Sequence, residues 1–403
     1  MSPPAGAGDV VLAVNAGSSS LKFGLYPAAG AARLLGQIDG LQPGGQPHWR
    51  LGDAGSGELA GLGADGSASA RHAAALDWLL TRLAGLRGLR LRAVAHRIVH
   101  GGDRYTAPVR LDEAVLAELV GLSSLAPLHQ PHNLAGVAAF ARALPGVPQV
   151  GCFDTAFHAT LPPLERRLPL PAALAARGLR RYGFHGLSYQ YLADTLPQHS
   201  ARAGGRALLA HLGSGASLCA TRSGRSVATT MGFSALDGLM MGTRSGSLDP
   251  GVLLHLWRQG WRLDQVEDLL YRDSGLKGVS GTSADLRALR ASGSAAAQEA
   301  IALFVHRTVR EAGALAALLG GLDLLAFTGG IGEHDAALRA AVVAPLAHLG
   351  LRLDAARNAA ATGDAVAAIH ADDSAAEVWV VPTDEGRVAA RAAFALLAGT
   401  AGG

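Results

Sequence analysis

The sequence predicts an α/β protein of two domains that arose by internal duplication. An apolar run, VLAV, passes through NAGSSS into LKFGLY near the start, and LLAHL passes through GSGAS into LCATRSGR from Leu208. Each segment has the pattern of a β-hairpin with a small, polar tip. The two copies lie half a chain apart in 403 residues, a length that suits two domains. Two unrelated Gly-Ser turns are the alternative.

The hairpin tips predict an anionic ligand. Gly, Ser and Asn allow a ligand to approach the backbone closely and offer N–H and hydroxyl donors, which suit a phosphate better than an apolar group. We therefore expect each domain to present one phosphate-binding hairpin to a shared central cleft.

Composition excludes several classes of partner. Charged residues make up 17% of the chain, the formal net charge is +3, and Lys and Arg form no basic block, so we expect no nucleic-acid or membrane partner.

The start, MSPPAGAGD, is predicted to be a loose tail because it lacks the pattern of a signal peptide. Cys152 and Cys219 lie in apolar runs, which predicts buried, reduced thiols and a cytoplasmic protein.

Four charged or titratable residues are candidates for anion chemistry. Arg97 lies on a predicted strand with its side chain opposite to Val94, His96 and Ile98, and Asp154 ends another apolar strand. His185 precedes a predicted helix, where an imidazole can meet an anion, and Arg244 lies among small residues. The alternatives are an exposed strand arginine, a turn carboxylate and a structural histidine.

The segment PLHQPHN contains two histidines, His129 and His132, and Asn133 is predicted to be the N-cap of the next helix. We do not favour a zinc site, because no Cys or carboxylate lies at ligand spacing from these histidines. In SGTSADLR, Thr282 or Ser283 is predicted to cap a helix containing Asp285 and Arg287.

Two further segments complete the pattern of a phosphate-handling protein. LLAFTGGIGE predicts a strand, a glycine turn and a helix, and VWVVPTDEGRV predicts a strand followed by a helix with Asp384 as its N-cap and Glu385 in its first turn. We expect this last helix to return to the first domain. The chain has no Gly-Lys pair, which excludes a Walker A loop, and no HRD loop, which excludes a protein kinase.

Ten motifs together resemble those of the acetate kinase family from end to end: NAGSSSLKF, HRIVHGG, PLHQPHN, FDTAFH, YGFHGLSY, HLGSGAS, MGTRSG, SGTSADLR, FTGGIGE and PTDE. The resemblance implies duplicated RNase H-like domains of the actin, Hsc70 and sugar kinase type. It places the N-terminal domain at 1–154, joined by a helix at 386–403, and the nucleotide-binding domain at 155–385. It also implies a homodimer, ATP and ADP as co-substrates, Mg²⁺ with Mn²⁺ as an alternative, acetate as acceptor and functional coupling to phosphate acetyltransferase.

The resemblance also implies a role for individual residues. It assigns Arg97 and Arg244 to binding acetate and the transferring phosphoryl group. It places His185 and His129 beside that phosphoryl group, and it assigns Asp154 to organising magnesium. It assigns Asn15 and Glu385 to the metal and the phosphates, and Val99, Leu128, Phe184 and Ala235 to the acetate methyl. It assigns to the nucleotide Lys22, His211, Leu212, Gly213, Ser214, Gly215, Asp285, Leu286, Arg287, Gly330, Ile331, Gly332 and His334.

The sequence departs from the family pattern at four positions. Ser214 and His334 replace asparagines, and Gly386 replaces a common glutamate, which leaves nucleotide preference open. Ala235 replaces a proline, which predicts a larger acyl pocket and better use of propionate. The alternatives are a propionate or butyrate kinase, an actin-like or Hsc70-like ATPase, and a regulator that has lost catalysis.

Overall fold

The computed structural model describes residues 8–42, 44–52, 55–59 and 67–399. The predicted N-terminal tail and the last residues of the closing helix lie outside these ranges. The described residues form two compact units, one reaching Ala156 and resuming at Asp384, the other running from Phe157 to Thr383. None of the helices described is both long and apolar enough to span a bilayer.

The first unit contains an eight-stranded sheet with the order β5-β4-β3-β2-β1-β6-β8-β7. β2 is antiparallel to β1 and β3 to β2, whereas β6 is parallel to β1 and β8 to β6. The strands are β1 (Asp9–Ala16), β2 (Ser20–Pro27), β3 (Leu34–Asp39), β4 (His48–Leu51), β5 (Ser56–Glu58), β6 (Arg90–Ile98), β7 (Val109–Arg110) and β8 (Gln149–Phe153). The helices are α1 (Ala68–Ala84), α2 (Glu113–Gly121), α3 (Gln130–Ala143) and, from the chain's end, α15 (Glu385–Gly399).

Successive side chains of β1 point to opposite faces of this sheet, and helices cover both faces. Val10, Leu12 and Val14 belong to an apolar cluster with residues of α1 and α3. Val11 and Ala13 are also buried, and α15 lies against β1 and β6. The predicted return of the closing helix to the first domain is therefore confirmed.

The second unit contains a six-stranded sheet with the order β11-β10-β9-β12-β14-β13. Its strands are β9 (Arg206–Leu212), β10 (Ala216–Arg222), β11 (Arg225–Thr229), β12 (Leu324–Thr328), β13 (Ala367–Ala368) and β14 (Glu377–Val380). Its helices are α4 (Pro163–Arg166), α5 (Ala172–Ala176), α6 (Gly186–Thr195), α7 (Pro250–Arg258), α8 (Leu263–Arg272), α9 (Gly275–Ser280), α10 (Leu286–Ser292), α11 (Ala295–Leu319), α12 (Gly329–His334), α13 (Ala336–Val343) and α14 (Ala355–Ala360).

The two sheets repeat one topology. In the second unit β10 is antiparallel to β9 and β11 to β10, and β12 is parallel to β9 and β14 to β12. Five strands of each sheet thus follow the order 3-2-1-4-5, each beginning with a predicted hairpin. The duplicated RNase H-like α/β fold is confirmed.

Two predicted helix caps are wrong. α3 begins at Gln130 with Pro131 in its first turn, so Asn133 lies inside the helix and its side chain makes tertiary contacts instead. Asp285, rather than Thr282 or Ser283, caps α10, because its carboxylate accepts from the backbone N–H of Arg287.

Candidate active site

A half-buried arginine and two carboxylates meet at one end of the first unit's sheet. Arg97 donates from Nε to Oδ1 of Asp154 at 2.9 Å and from Nη2 to Oδ2 at 2.5 Å. Oε2 of Glu385 lies 3.6 Å from Arg97 Nε, longer than a hydrogen bond. Burial lowers the pKa of Arg97, but the two carboxylates outweigh it and raise the pKa further, so the guanidinium stays charged.

The positions of these three residues at the ends of strands and at the start of a helix explain why they lie together. Arg97 is the second-last residue of β6, Asp154 directly follows the neighbouring parallel strand β8, and Glu385 begins α15. Parallel strands bring their carboxyl ends to one edge of a sheet, so a strand arginine and a carboxylate after the next strand become neighbours.

Asn133 ties two strand ends together beside this cluster. Its Oδ1 accepts from the backbone N–H of Val99 at 3.0 Å, and its Nδ2 donates to the carbonyl of Ala16 at 2.7 Å. Ala16 follows Asn15, which pairs in register with the exposed Lys22 across the β1–β2 hairpin. One buried amide thus fixes the hairpin that carries Asn15 against the strand that carries Arg97.

The remaining candidates of the first unit lie close by in sequence and fold. Val99 follows β6 and is buried, whereas Leu128 and His129 lie half-buried before α3, with His129 as its N-cap residue. His132 is exposed, and its ring stacks with that of His72. Among the residues described, no group of three or more His, Cys, Asp or Glu is arranged as a metal site.

In the second unit, His185 adopts an unusual backbone conformation at the start of α6. Its φ is 59°, in the left-handed region that side chains other than Gly rarely occupy. Its Nδ1 lies 2.8 Å from Oγ of Ser217, and its ring stacks on that of His211 at 4.2 Å. His211 in turn bonds Oγ of Ser188 at 2.8 Å. These contacts fix both imidazole rings.

His185 and Arg244 converge on the glycine loop between β9 and β10. A Cβ added to Gly215 would lie 3.3 Å from Nε2 of His185 and 3.8 Å from Nη1 of Arg244. Arg244 is also held by a hydrogen bond from Nη1 to the carbonyl of Ala235 at 2.9 Å. The segment from Ala235 to Arg244 lies outside helix and strand, as its glycine content predicts. An imidazole and a guanidinium therefore flank a strip of bare backbone, which suits an anionic oxygen.

A buried histidine supports Phe184. Nε2 of His158 lies 2.9 Å from the carbonyl of Phe184, and Nδ1 lies 2.8 Å from Oγ of Ser226. Since a carbonyl only accepts, Nε2 carries the proton and Ser226 donates to Nδ1. Burial lowers the pKa of His158 to about 4, so the ring is neutral and fixes the backbone just before His185.

The second glycine loop lies beside the first. Gly329 begins α12 with φ 77°, and a Cβ there would come within 2.7 Å of the carbonyl of Leu212. Gly330 N would lie 3.8 Å from a Cβ on Gly213. Strands β9 and β12 are adjacent and parallel, so the loops that follow them meet. These two loops contain the candidate nucleotide residues Leu212, Gly213, Ser214, Gly215, Gly330, Ile331 and Gly332.

Two charged groups hold α12. Oε1 of Glu333 accepts from the N–H of Gly329 at 2.8 Å and from the N–H of Thr383 at 3.1 Å. Arg339 is fully buried and donates to the carbonyls of Gly332 at 3.0 Å and Glu333 at 2.7 Å. It also binds both oxygens of Asn358 and the carbonyl of Ala361. His334, exposed at the end of α12, bonds the carbonyl of Thr362.

Asp285 and Arg287 form an exposed pair at the start of α10. Arg287 donates from Nη2 to Oδ2 of Asp285 at 2.8 Å and from Nε to Oδ1 at 3.1 Å. The side-chain hydrogen bond from Arg287 lowers the pKa of Asp285, so the carboxylate is ionised. Leu286 between them is buried, which anchors the pair to the helix.

The structure thus brings together Arg97, Asp154 and Glu385 in the first unit, and His185, His211, Arg244 and the glycine loops in the second. Sequence reasoning missed the residues that position these groups. Four of them, His158, Ser217, Asn133 and Glu333, lie inside quoted motifs, whereas Arg339 carries no motif signal.

A sequence model of the acetokinase family matches residues 10–391. The chain belongs to the acetokinase family. It is 47% identical over 401 residues to an acetate kinase of Rhodopseudomonas palustris, covering 97% of this chain and 99% of that protein. The resemblance inferred from the motifs is confirmed.

Solved structures of acetokinases agree with the fold. A Porphyromonas gingivalis acetate kinase has a TM-score of 0.85 and 34% identity, covering 96% of this chain and all of that one. A Francisella tularensis propionate kinase also has a TM-score of 0.85, with 30% identity, covering 95% of this chain and 98% of that one. As a member of the acetokinase family, the chain is a kinase.

Proposed function

We propose that this kinase transfers the γ-phosphoryl group of ATP reversibly to acetate, forming acetyl phosphate and ADP with Mg²⁺. The observation that carries the proposal is the convergence of His185 and Arg244 on the bare backbone at Gly215. An acetate acceptor is already ionised at neutral pH and needs no general base, so the demand on the protein is charge neutralisation. An imidazole, guanidinium groups and glycine-loop N–H groups supply it.

The transfer is proposed to be direct and in line. A carboxylate oxygen of acetate forms a bond to the γ-phosphorus as the bond from that phosphorus to the β,γ-bridging oxygen breaks, and ADP leaves. Arg97 and Arg244 are proposed to hold the carboxylate and the transferring phosphoryl group, and His185 and His129 to line the same centre. Reversibility follows because acetyl phosphate synthesis and ATP formation share one set of contacts.

The first unit's carboxylates fit a magnesium ion bound mainly through phosphates and water. Asp154 is buried with both oxygens on Arg97, whereas Glu385 is part-exposed and makes no short hydrogen bond to that guanidinium. Mg²⁺ commonly takes one or two protein oxygens and keeps several waters. We propose that Glu385 and Asn15 hold the metal, with Asp154 ordering it through water, and Mn²⁺ as a substitute. When bound, the metal neutralises phosphate charge.

The nucleotide is proposed to lie against the two glycine loops of the second unit, whose backbone N–H groups suit phosphates. Gly330, Ile331 and Gly332 and the pair Asp285–Arg287 are proposed to contact the nucleoside, with Leu286 as the apolar anchor. Lys22, His211, Leu212, Gly213, Ser214 and Gly215 are proposed to contact its phosphates. His334, whose ring is held by Thr362, is proposed to border the adenine.

Acetate is the proposed acceptor, because 47% identity to a protein of that name extends over nearly the whole chain. Val99, Leu128, Phe184 and Ala235 are proposed to contact its methyl group. The likeness to a propionate kinase and the small Ala235 support propionate as a second acceptor. No observation favours an actin-like ATPase over a kinase of the acetokinase family.

A homodimer is proposed from an unburied apolar helix. None of the residues of α7 is buried, although Val252, Leu254 and Trp257 lie on it and are 40%, 49% and 45% exposed. Leu248, Trp261 and Leu263, which flank α7 in sequence, are also exposed, and exposed apolar surface of this kind marks interfaces. Functional coupling to phosphate acetyltransferase and a cytoplasmic location are proposed as well; two free, buried thiols support a reducing compartment.

Hydroxylamine trapping tests the function. Purified protein with Mg-ATP is compared with acetate, propionate, butyrate and no acid, and we expect acid-dependent acyl hydroxamate with acetate ranked first. Hydrolysis of ATP without hydroxamate would overturn the kinase assignment in favour of an ATPase. A stoichiometric phosphoprotein that forms and decays as fast as turnover would overturn direct transfer.

A further inference from the structure

A chain of buried hydroxyl groups ends on His185. The phenolic oxygen of Tyr189 lies 2.5 Å from Oγ of Ser217, and that Oγ lies 2.8 Å from Nδ1 of His185. Tyr189 and Ser217 are fully buried and His185 is 9% exposed. Ser217 is the next but one residue after Gly215 on β10, and Tyr189 lies one helical turn after His185 on α6. These hydrogen bonds therefore join His185, at the start of α6, to the strand that follows the glycine loop at Gly215.

The direction of these hydrogen bonds follows from the proton inventory. Burial raises the pKa of Tyr189 well above its ordinary value, and a hydrogen bond from the backbone of His211 to the phenol acts in the opposite sense. The phenol therefore stays protonated, its buried proton needs an acceptor, and Oγ of Ser217 lies 2.5 Å from the phenolic oxygen. A hydroxyl that accepts from Tyr189 has its single proton free for the Nδ1 of His185. Nδ1 is then an acceptor, and the proton of a neutral imidazole lies on Nε2.

Two side chains of the second unit lie beside the ring of His185. The ring of His211 stacks on it at 4.2 Å, and the guanidinium of Arg244 shares the same glycine loop. The group that lies at Nδ1 is the hydroxyl of Ser217, 2.8 Å away. Nε2 faces Gly215, where the bare backbone leaves room for a ligand.

We propose that Tyr189 and Ser217 are positioning residues that hold His185 as the neutral tautomer protonated at Nε2. This inference rests on the proposed function, in which an anionic phosphoryl oxygen meets His185. An unprotonated Nε2 would repel that oxygen, whereas Nε2–H donates to it. The hydrogen bonds from Tyr189 through Ser217 thus place the proton on Nε2, the ring nitrogen that meets the phosphoryl group. Neither Tyr189 nor Ser217 touches the substrate.

Ring-nitrogen NMR tests the tautomer directly. Protein with ¹⁵N-labelled histidine is studied at neutral pH, and the His185 signals are assigned by their loss in His185→Gln. We expect a protonated Nε2 and an unprotonated Nδ1 in the natural protein. Ser217→Ala and Tyr189→Phe should populate the Nδ1–H form. A proton on Nδ1 in the natural protein, or an unchanged tautomer in Ser217→Ala, would overturn the proposal.

Kinetics supply the second readout. Loss of one aligned hydrogen bond should lower kcat in Ser217→Ala by about tenfold while both KM values stay within about twofold. Thr221→Val is the matched control, because it removes another buried hydroxyl of β10, one that donates to the carbonyl of Ala207. It should leave the tautomer and kcat unchanged, and equal loss of kcat in both variants would overturn the proposal.

The two hypotheses fail differently. Absence of acyl hydroxamate from a protein whose His185 is protonated at Nε2 would refute the carboxylate kinase and leave the hydroxyl chain intact. Normal hydroxamate formation with His185 protonated at Nδ1 would refute the positioning role and leave the kinase intact.

Discussion

Both carboxylate oxygens of Asp154 accept hydrogen bonds from Arg97, Oδ1 from Nε at 2.9 Å and Oδ2 from Nη2 at 2.5 Å. This two-point pairing uses Nε and Nη2 and fixes the plane of the guanidinium. An arginine oriented in this way meets a second anion in one geometry, which is what positioning for phosphoryl transfer requires.

Replacing Arg97 should therefore abolish most turnover. We expect Arg97→Ala to lower kcat by about 10³, and Arg97→Lys to recover only part of it because an ammonium lacks the fork. Arg92→Ala is the matched control, since Arg92 lies on the same strand and pairs with Asp9. Steady-state acetyl phosphate formation measures the effect, and near-natural kcat in Arg97→Ala would remove this residue from the transfer centre.

Glu385→Ala should raise the magnesium requirement. Removing a proposed metal-ordering carboxylate weakens metal binding more than nucleotide binding, so the Mg²⁺ concentration for half-maximal rate should rise about tenfold. Glu113→Ala, which removes an exposed carboxylate from the first turn of α2, should leave the titration unchanged. Superimposable titrations of Glu385→Ala and the natural protein would contradict the assignment.

Ala235→Pro should shift acceptor preference. The carbonyl of Ala235 already holds Arg244, and a proline retains that carbonyl while adding ring carbons beside it. We expect the propionate-to-acetate ratio of kcat/KM to fall severalfold, with KM for ATP unchanged as the internal control. A ratio that does not fall would refute the role of Ala235 in acyl selection.

Arg339→Met should weaken nucleotide binding and lower stability together. The substitution leaves the carbonyls of Gly332 and Glu333 without their buried donor, a loss of about 3 kcal/mol or more. KM for ATP should rise, whereas KM for acetate should stay unchanged. Arg290→Met, which breaks an ion pair to Asp335 at the neighbouring helix, controls for loss of charge. Equal changes in both KM values would contradict a specific role in holding α12.

Stability should fall as the pH drops below neutrality. Burial is the largest cause that lowers the pKa of His96 and His158 to about 4, whereas both rise to about 6.5 on unfolding. The unfolded chain therefore binds more protons between these values. Each histidine contributes stability that is complete above pH 6.5 and declines by about 2 kcal/mol by pH 5.

Denaturant titrations at pH 7 and pH 5 measure this decline. His158→Asn should reduce the difference between the two pH values, because it removes one of the two titrating groups. A difference that is the same in His158→Asn and the natural protein would contradict the assignment of the decline to His158.

Local patterns predicted the elements well because hairpins and strand ends are short-range features. The tips after Asn15 and Leu212 were recognisable from apolar runs interrupted by Gly and Ser, and both form hairpins. The topology followed from the repeated hairpin and the motif resemblance.

Long-range contacts explain why the sequence does not predict the roles of some residues. Asn133 was expected to cap its helix, but its amide joins Val99 and Ala16, 34 and 117 residues away. In the α10 segment, Ser283 and Asp285 are both able to cap, and the register of the helix decides for Asp285. Arg339 is an ordinary arginine of an amphipathic pattern until the carbonyls around it are known.

The two cysteines, Cys152 and Cys219, have a practical consequence. Both are fully buried, and burial raises the pKa of each thiol to about 12, so neither offers a reactive thiolate at neutral pH. The natural protein should therefore not react with maleimides. A single cysteine introduced at Ala172, on the exposed start of α5, would take a fluorescent or spin label at one known place without prior removal of either native thiol.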